Sequence, residues 1–247
     1  MFRSSLSSLA PETATHPGYV ANPDEVRAFL GKVFTYMTLA LAISGGVAWW
    51  FGHDMSLLSR LVDFTTGKMT ILGWVVMLAP LGLVFLMGGM VNKLSGTALL
   101  TVFVAYSALT GASLSFIFLA YTGTSIAMVF GVTAAVFGLM AVAGYTTKTD
   151  LTKLGSILFI GLIGIVIAMV VNMFMQSDTM GYVISVLSVI IFTGLTAYDM
   201  QRLKNLGGTV VSGTEMAQKM ALMGALSLYL DFLNLFLALL RLFGNRK

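Results

Sequence analysis

Seven apolar stretches succeed one another along the chain with only short polar breaks: Val33–Phe51, Thr70–Met90, Ala98–Tyr121, Ser125–Tyr145, Gly155–Met175, Gly181–Leu203 and Ala221–Phe243. Each is close to the roughly 20 residues a helix needs to cross the hydrocarbon core of a bilayer. A backbone in lipid has no water to bond to, so segments of this length must be helices. With 57% of residues hydrophobic and 10% charged, little is left to cover a sizeable soluble domain. The reading is an all-α integral membrane protein, a bundle of seven transmembrane helices.

Residues 1–29 are polar, with serines at 4, 5, 7 and 8 and prolines at 11, 17 and 23, and read as a flexible cytoplasmic tail. A cleaved signal peptide would carry its apolar core nearer the start. Residues 30–247 read as one bundle joined by short loops, with no convincing internal repeat. Cysteine is absent, which excludes disulfides, a thiolate nucleophile and Cys-ligated metal. The net charge of +4 comes from 14 scattered Lys and Arg that form no basic patch, so nucleic acid is not the expected partner. The lipid bilayer is. With the N-terminus inside, nine basic residues (Arg3, Arg27, Lys32, Lys93, Lys148, Lys153, Arg202, Lys204, Lys219) fall in the cytoplasm and five (Arg60, Lys68, Arg241, Arg246, Lys247) outside. If the last segment turned back instead of crossing, the split would become twelve to two, so that alternative stays open.

Small residues suggest close helix packing: Ser107, Gly111 and Ser115 at every fourth position, and Gly161 with Gly164. Pro80 stands inside the second span, where it should kink the helix and free a carbonyl.

Two carboxylates lie within this apolar frame. Asp199 stands about a turn from the cytoplasmic end of the sixth span and Asp231 near the middle of the seventh. A charge at mid-bilayer costs about 2.5–3.5 kcal/mol on insertion scales. At about 1.5 Å rise per residue their backbones differ in depth by less than about 10 Å. If the side chains meet, both cannot ionise cheaply, and the pair holds a shared proton: a proton sensor. The plainer reading of Asp199 is an ion pair with Arg202, three residues on, at the water boundary. Asp231 has no basic residue nearby on its own helix and needs a partner from elsewhere or a water-filled cavity. Tyr198 and Tyr229 beside the acids read as interfacial anchors or as hydroxyl donors to a carboxylate. Asn172 and Asn234 read as hydrogen-bonding glue between helices. His16 in the tail and His53 in the first outer loop are too isolated for a metal site, leaving His53, Asp54 and Asp63 as a weak pH- or cation-sensing loop.

Three functions fit these residues. Tyr198-Asp199 on one span and Asp231 on the next look like the presenilin and signal-peptide-peptidase arrangement, but the second acid follows Leu228-Tyr229-Leu230 instead of a Gly-x-Gly pattern and the later proline motif is missing. No catalytic residues are assigned. A cation leak would use carboxylates as oxygen ligands for a divalent ion, although no filter motif is present. A regulatory protein without transport would offer its tail to a partner.

The runs Gly144-Tyr145-Thr146-Thr147-Lys148-Thr149-Asp150-Leu151-Thr152, Ala197-Tyr198-Asp199-Met200-Gln201 and Ala225-Leu226-Ser227-Leu228-Tyr229-Leu230-Asp231-Phe232-Leu233-Asn234-Leu235-Phe236 resemble the Bax inhibitor-1 family, also called transmembrane Bax-inhibitor-motif or LFG/YetJ-like. The likeness runs from about residue 25 to the C-terminus and is nearest to bacterial members. It implies seven helices with the last one central, an inner-membrane location, no enzymatic activity, no cofactor, and a pH-sensitive calcium leak. Asp199 and Asp231 would be its gating pair and would meet calcium transiently, with Tyr198, Tyr229 and Asn234 in support. Described members latch this pair with an arginine at the cytoplasmic end of the second span. Here that end reads Met87-Gly88-Gly89-Met90-Val91-Asn92-Lys93, which leaves Lys93 or Arg202 as substitutes. Lysine is a poorer bidentate partner than arginine. Some bacterial relatives modulate an ATP-dependent membrane protease through the N-terminal tail, and this is the alternative function the resemblance implies.

Overall fold

The computed structural model describes residues 23–211 and 213–247. Among them, seven helices are long and apolar enough to span a membrane. In chain order the elements are α1 (Pro23–His53), α2 (Met55–Leu61), β1 (Val62–Asp63), β2 (Lys68–Met69), α3 (Ile71–Met90), α4 (Gly96–Leu114), α5 (Ile117–Ala120), α6 (Gly123–Thr146), α7 (Thr152–Met175), α8 (Asp178–Gly207) and α9 (Glu215–Phe243). Most of the tail, including His16, lies outside the described residues. Residues 23–29 do not belong to a loop: α1 starts at Pro23, with Asp24 and Glu25 in its first turn and Val26 and Phe29 buried. Proline suits the first helical position because its missing N–H has no helical partner there, and acids favour the positive end of the dipole.

The described residues fall into two compact units. One takes the chain up to Ala120 with Asn205–Leu226; the other takes Tyr121–Lys204 with Ser227–Lys247.

In the first unit α1 lies along α4. Gly111 allows this: a Cβ there would stand 2.5 Å from the Ser44 carbonyl oxygen. The Ser44 hydroxyl donates to Ser107 O at 2.7 Å. The spaced small residues of this helix are therefore a packing seam. Pro80 frees the carbonyl four residues back, Val76, and the Ser113 hydroxyl of α4 donates to it at 2.6 Å. A proline that would cost α3 a hydrogen bond is thus satisfied by its neighbour. The outer loop is built by its acids. Asp54 caps α2, accepting from Ser56 N at 2.8 Å, and Asp63 accepts from the Thr65 and Thr66 hydroxyls in the β1–β2 hairpin. His53 Nδ1 donates to Trp49 O of its own helix at 2.8 Å, and its ring meets Phe118 edge-on. Among the described residues no three His, Cys, Asp or Glu side chains converge, and these three groups are accounted for as loop and ring contacts.

In the second unit α6, α7, α8 and the main part of α9 pack together. Gly161 lets Ile191 of α8 close on α7, whereas Gly164 faces open space and is no packing residue. Asn172 does not bridge helices either. Its Oδ1 accepts from Ser177 N at 3.1 Å and closes the α7–α8 turn, where Gln176 takes a left-handed φ of 51°. The chain end returns to the start of α6: Thr122 N donates to Asn245 O at 3.1 Å and Asn245 N to Ser125 Oγ at 2.9 Å. α9 is one unbroken helix of 29 residues, about 43 Å long. It is long and apolar enough to cross a membrane.

Candidate functional site

Both acids sit on long helices whose ends are locally specified. α8 begins at the Ser177 hydroxyl, which accepts from Met180 N, and carries Asp178 in its first turn and Lys204 in its last. α9 begins at the Thr214 hydroxyl, which accepts from Ala217 N, with Glu215 in its first turn and Arg241 in its last. Each helix so places acid at its positive end and base at its negative end.

Asp199 on α8 is 3% exposed and Asp231 on α9 is 5% exposed. The Ser227 hydroxyl of α9 donates to Asp199 Oδ2 at 2.5 Å, which fastens the two helices at the acid itself. Asp231 lies four residues beyond Ser227, one turn or about 6 Å further along the same face of α9. Asp199 therefore lies at the α8–α9 contact, and Asp231 one helical turn beyond the Ser227 that holds it. The next positions of α9 do a different job. Phe232 and Phe236 meet Phe130 of α6 at centroid distances of 5.2 and 5.9 Å, and Phe232 also meets Phe137 at 5.5 Å. One face of α9 is polar toward α8, and another is aromatic toward α6.

The other expected residues divide. Tyr229 is fully buried within α9, and the half-buried Tyr198 lays its ring against Gly155 of α7, where a Cβ would stand 2.4 Å from it. Asn234 donates Nδ2 to Leu230 O of its own helix at 2.8 Å, so its amide NH₂ supports α9 and does not glue it to a neighbour. Arg202 is half-buried on α8, three residues past Asp199, while Lys93 is exposed in the loop after α3.

Three contacts around Asp199 had no role in the sequence reading. Gly144 of α6 rides on the Ala197 backbone, where a Cβ would stand 2.1 Å from the carbonyl oxygen. Gln201 accepts from Leu151 N at 2.9 Å and donates to Thr149 O at 2.8 Å. Lys204 donates to Tyr145 O at 2.8 Å and lies 4.9 Å above that ring. In the same loop Asp150 accepts from Thr152 N and Oγ1, bonds that hold its carboxyl below the usual range. Ser227 was legible in principle, as a hydroxyl one turn before Asp231 in an apolar run.

The sequence profile described as "Inhibitor of apoptosis-promoting Bax1" matches residues 26–247. The chain is 43% identical over 223 residues to the inner membrane protein YbhL of Escherichia coli strain K12, covering 90% of this chain and 93% of that one. A protein of Borreliella burgdorferi is 44% identical over 219 residues, 89% of this chain and 92% of its own. A membrane protein of Streptococcus pyogenes is 37% identical over 236 residues, 93% and 98% of the two chains. Matches of this length and identity, on a bundle of membrane-spanning helices with two buried acids, establish that this multi-pass membrane protein belongs to the Bax inhibitor-1 family.

Proposed function

We propose that the protein is a slow, pH-sensitive calcium leak of the bacterial inner membrane, gated by Asp199 and Asp231, with its N-terminus in the cytoplasm. The observation that carries this reading is two acids, each at least 95% buried, the second one turn along α9 from the Ser227 that donates to the first. In this reading the two carboxyl groups act as a unit, and their charge decides what they hold. Ionised, the pair attracts a basic side chain or a divalent cation; neutralised, it releases both. Arg202, three residues past Asp199 on α8, serves as the basic latch. Two carboxylates and a hydroxyl fall short of the six to eight oxygens that hold calcium in residence, which suits an ion in transit.

Three acids outside the spans are poor candidates for the sensor. Asp54, Asp63 and Asp150 are all held below the ordinary carboxyl range by hydrogen bonds from Ser56, Thr65 with Thr66, and Thr152. They stay ionised at any pH near neutral. The orientation rests on the nine-to-five division of basic residues. The reading needs no catalytic step and no cofactor.

The test is calcium entry into proteoliposomes between about pH 5.5 and 8, a range that brackets proton exchange by coupled buried carboxyls. It compares wild type with Asp199→Asn and Asp231→Asn. Entry that rises toward acid pH in wild type and is flat in both variants is expected. Absence of entry from folded wild-type protein would overturn the leak and turn attention to the N-terminal tail and an ATP-dependent membrane protease as its partner.

A further inference from the structure

In the first unit a groove of about 90 Å³ runs along the pairing of α1 with α4, lined by Tyr36, Leu39 and Ile43 on one helix and by Leu100, Val104 and Ser107 on the other. Each set recurs at every third or fourth residue, so the lining is two rows, one from each helix face. The two helices are pinned at one end of the groove. There the Ser44 hydroxyl donates to Ser107 O at 2.7 Å, and Gly111 rides on the Ser44 backbone. From that contact the groove opens toward the starts of both helices. Its walls are apolar for a local reason: the Ser107 hydroxyl is turned back onto Phe103 O at 2.8 Å, just as that of Ser44 is spent on Ser107 O. Leu39 and Val104 are its exposed lips, and the small, buried Ala40 keeps its floor low.

Both helices are membrane spans, so a groove on their outer side faces hydrocarbon and takes in an acyl chain. Depth and charge narrow the choice of lipid. Lys32 stands immediately before the apolar run that begins at Val33. From Lys32 to Ile43 the helix rises about 16 Å, half of the roughly 30 Å hydrocarbon core. The groove thus starts just inside the headgroup level and ends near the midplane, the length of one leaflet. Tyr36, at its open end, has the apolar body and polar tip of residues that stand at this level. Lys32 is exposed and lies one turn before Tyr36 on the same face of α1. Neighbouring acids are already engaged: Asp24 pairs with Arg27 at 3.8 Å, and Glu215 at the start of α9 pairs with Lys219 at 3.1 Å. Among the described residues Lys32 takes part in no ion pair.

We propose that this groove holds an acyl chain of an anionic phospholipid whose headgroup phosphate meets Lys32. With the N-terminus inside, the lipid belongs to the cytoplasmic leaflet. A chain in the groove touches protein on two sides and gains more dispersion contact than one lying on an exposed helix face. Lysine near the surface adds the preference for negative charge. The site rests on α1 and α4 alone and holds whether or not the protein passes calcium.

The test uses the full chain in phosphatidylcholine nanodiscs doped with phosphatidylglycerol that carries a photoreactive diazirine in mid-chain. Labelling should concentrate in 36–43 and 100–107 and exceed that of 157–170, the exposed stretch of α7. The matching phosphatidylcholine probe should label the groove about fivefold less, the factor contributed by one lysine at the surface. Lys32→Gln should erase that difference between the probes. Val104→Trp, which fills the groove from its exposed lip, should lower labelling of 36–43 to the level of α7, whereas Leu139→Trp, on an exposed position of α6, should leave it unchanged.

Even labelling of 36–43, 100–107 and 157–170 in wild type would overturn the site, and this arm needs no variant. Equal labelling by the two probes in wild type would overturn the anionic headgroup. So too, for the groove, would Val104→Trp with undiminished labelling, or Leu139→Trp with labelling lowered as far.

Discussion

The fifth span, α7, and the last, α9, are near opposites. α7 is the more apolar, with mean hydropathy 2.8 over its most apolar stretch, yet only 11% of that stretch is buried in protein. α9 has mean hydropathy 1.8 and 78% of its stretch is buried. In water the more apolar helix would be the buried one. In lipid the order inverts, because hydrocarbon receives apolar side chains at no cost while Ser227, Asp231 and Asn234 need protein around them. Of these two the less lipophilic goes inside, and it is there that Asp231 can be kept.

That contrast can be broken most severely by cavity. Leu228→Ala, at a fully buried α9 position, should cost about 2–3 kcal/mol of stability through lost packing, whereas Ile160→Ala on the exposed face of α7 should cost under about 0.5. Unfolding in detergent micelles measures both. Equal losses would mean that α7 is covered by something other than lipid.

Next comes the one place where α7 is not bare. Gly155→Ala must displace the Tyr198 ring and should cost about 1–3 kcal/mol, while Gly164→Ala, with nothing near it, should be neutral or gain up to about 1 from helix propensity. The same unfolding assay separates them.

Smaller again is Ser227→Ala, which deletes a hydrogen bond to a buried carboxyl and should cost about 1–2 kcal/mol while altering the pH profile of calcium entry. Unaltered entry would detach Ser227 from the acids' function.

The smallest effect belongs to Asp63. Hydrogen bonds depress its carboxyl from 3.8 to about 2, so its contribution to the hairpin is complete above pH 3.8 and is lost only as pH falls through about 2. Asp63→Asn should therefore leave the calcium profile between about pH 5.5 and 8 unchanged. A shifted profile would put a sensor in the outer loop.

How much of this was written in the sequence differs by element. The spans were, because bilayer thickness fixes their length whatever they pack against. The acids were, because a carboxylate in an apolar run stands out without any partner being known. Pro80 announced a freed carbonyl, though not that Ser113 would take it. The start of α1 was missed even though Pro23, Asp24 and Glu25 form a helix-start signal; polar composition outweighed it. Gln201 and Gly144 were illegible for a different reason. Their partners, Thr149 and Ala197, lie some fifty residues away, and nothing in a single sequence says which loop a helix end will meet. Asn172 and Gly164 show the converse: residue types that often pack helices together can serve a turn or face lipid.

The central claim is that Asp199 and Asp231 exchange a proton as a pair. Infrared difference spectra of the protein in lipid, stepped between about pH 8 and 5.5, read the carboxyl stretch directly. The account predicts a protonated-carboxyl band that changes across this step in wild type and disappears in both Asp199→Asn and Asp231→Asn. A band that persists unchanged in either variant, or no carboxyl change in wild type, would contradict it.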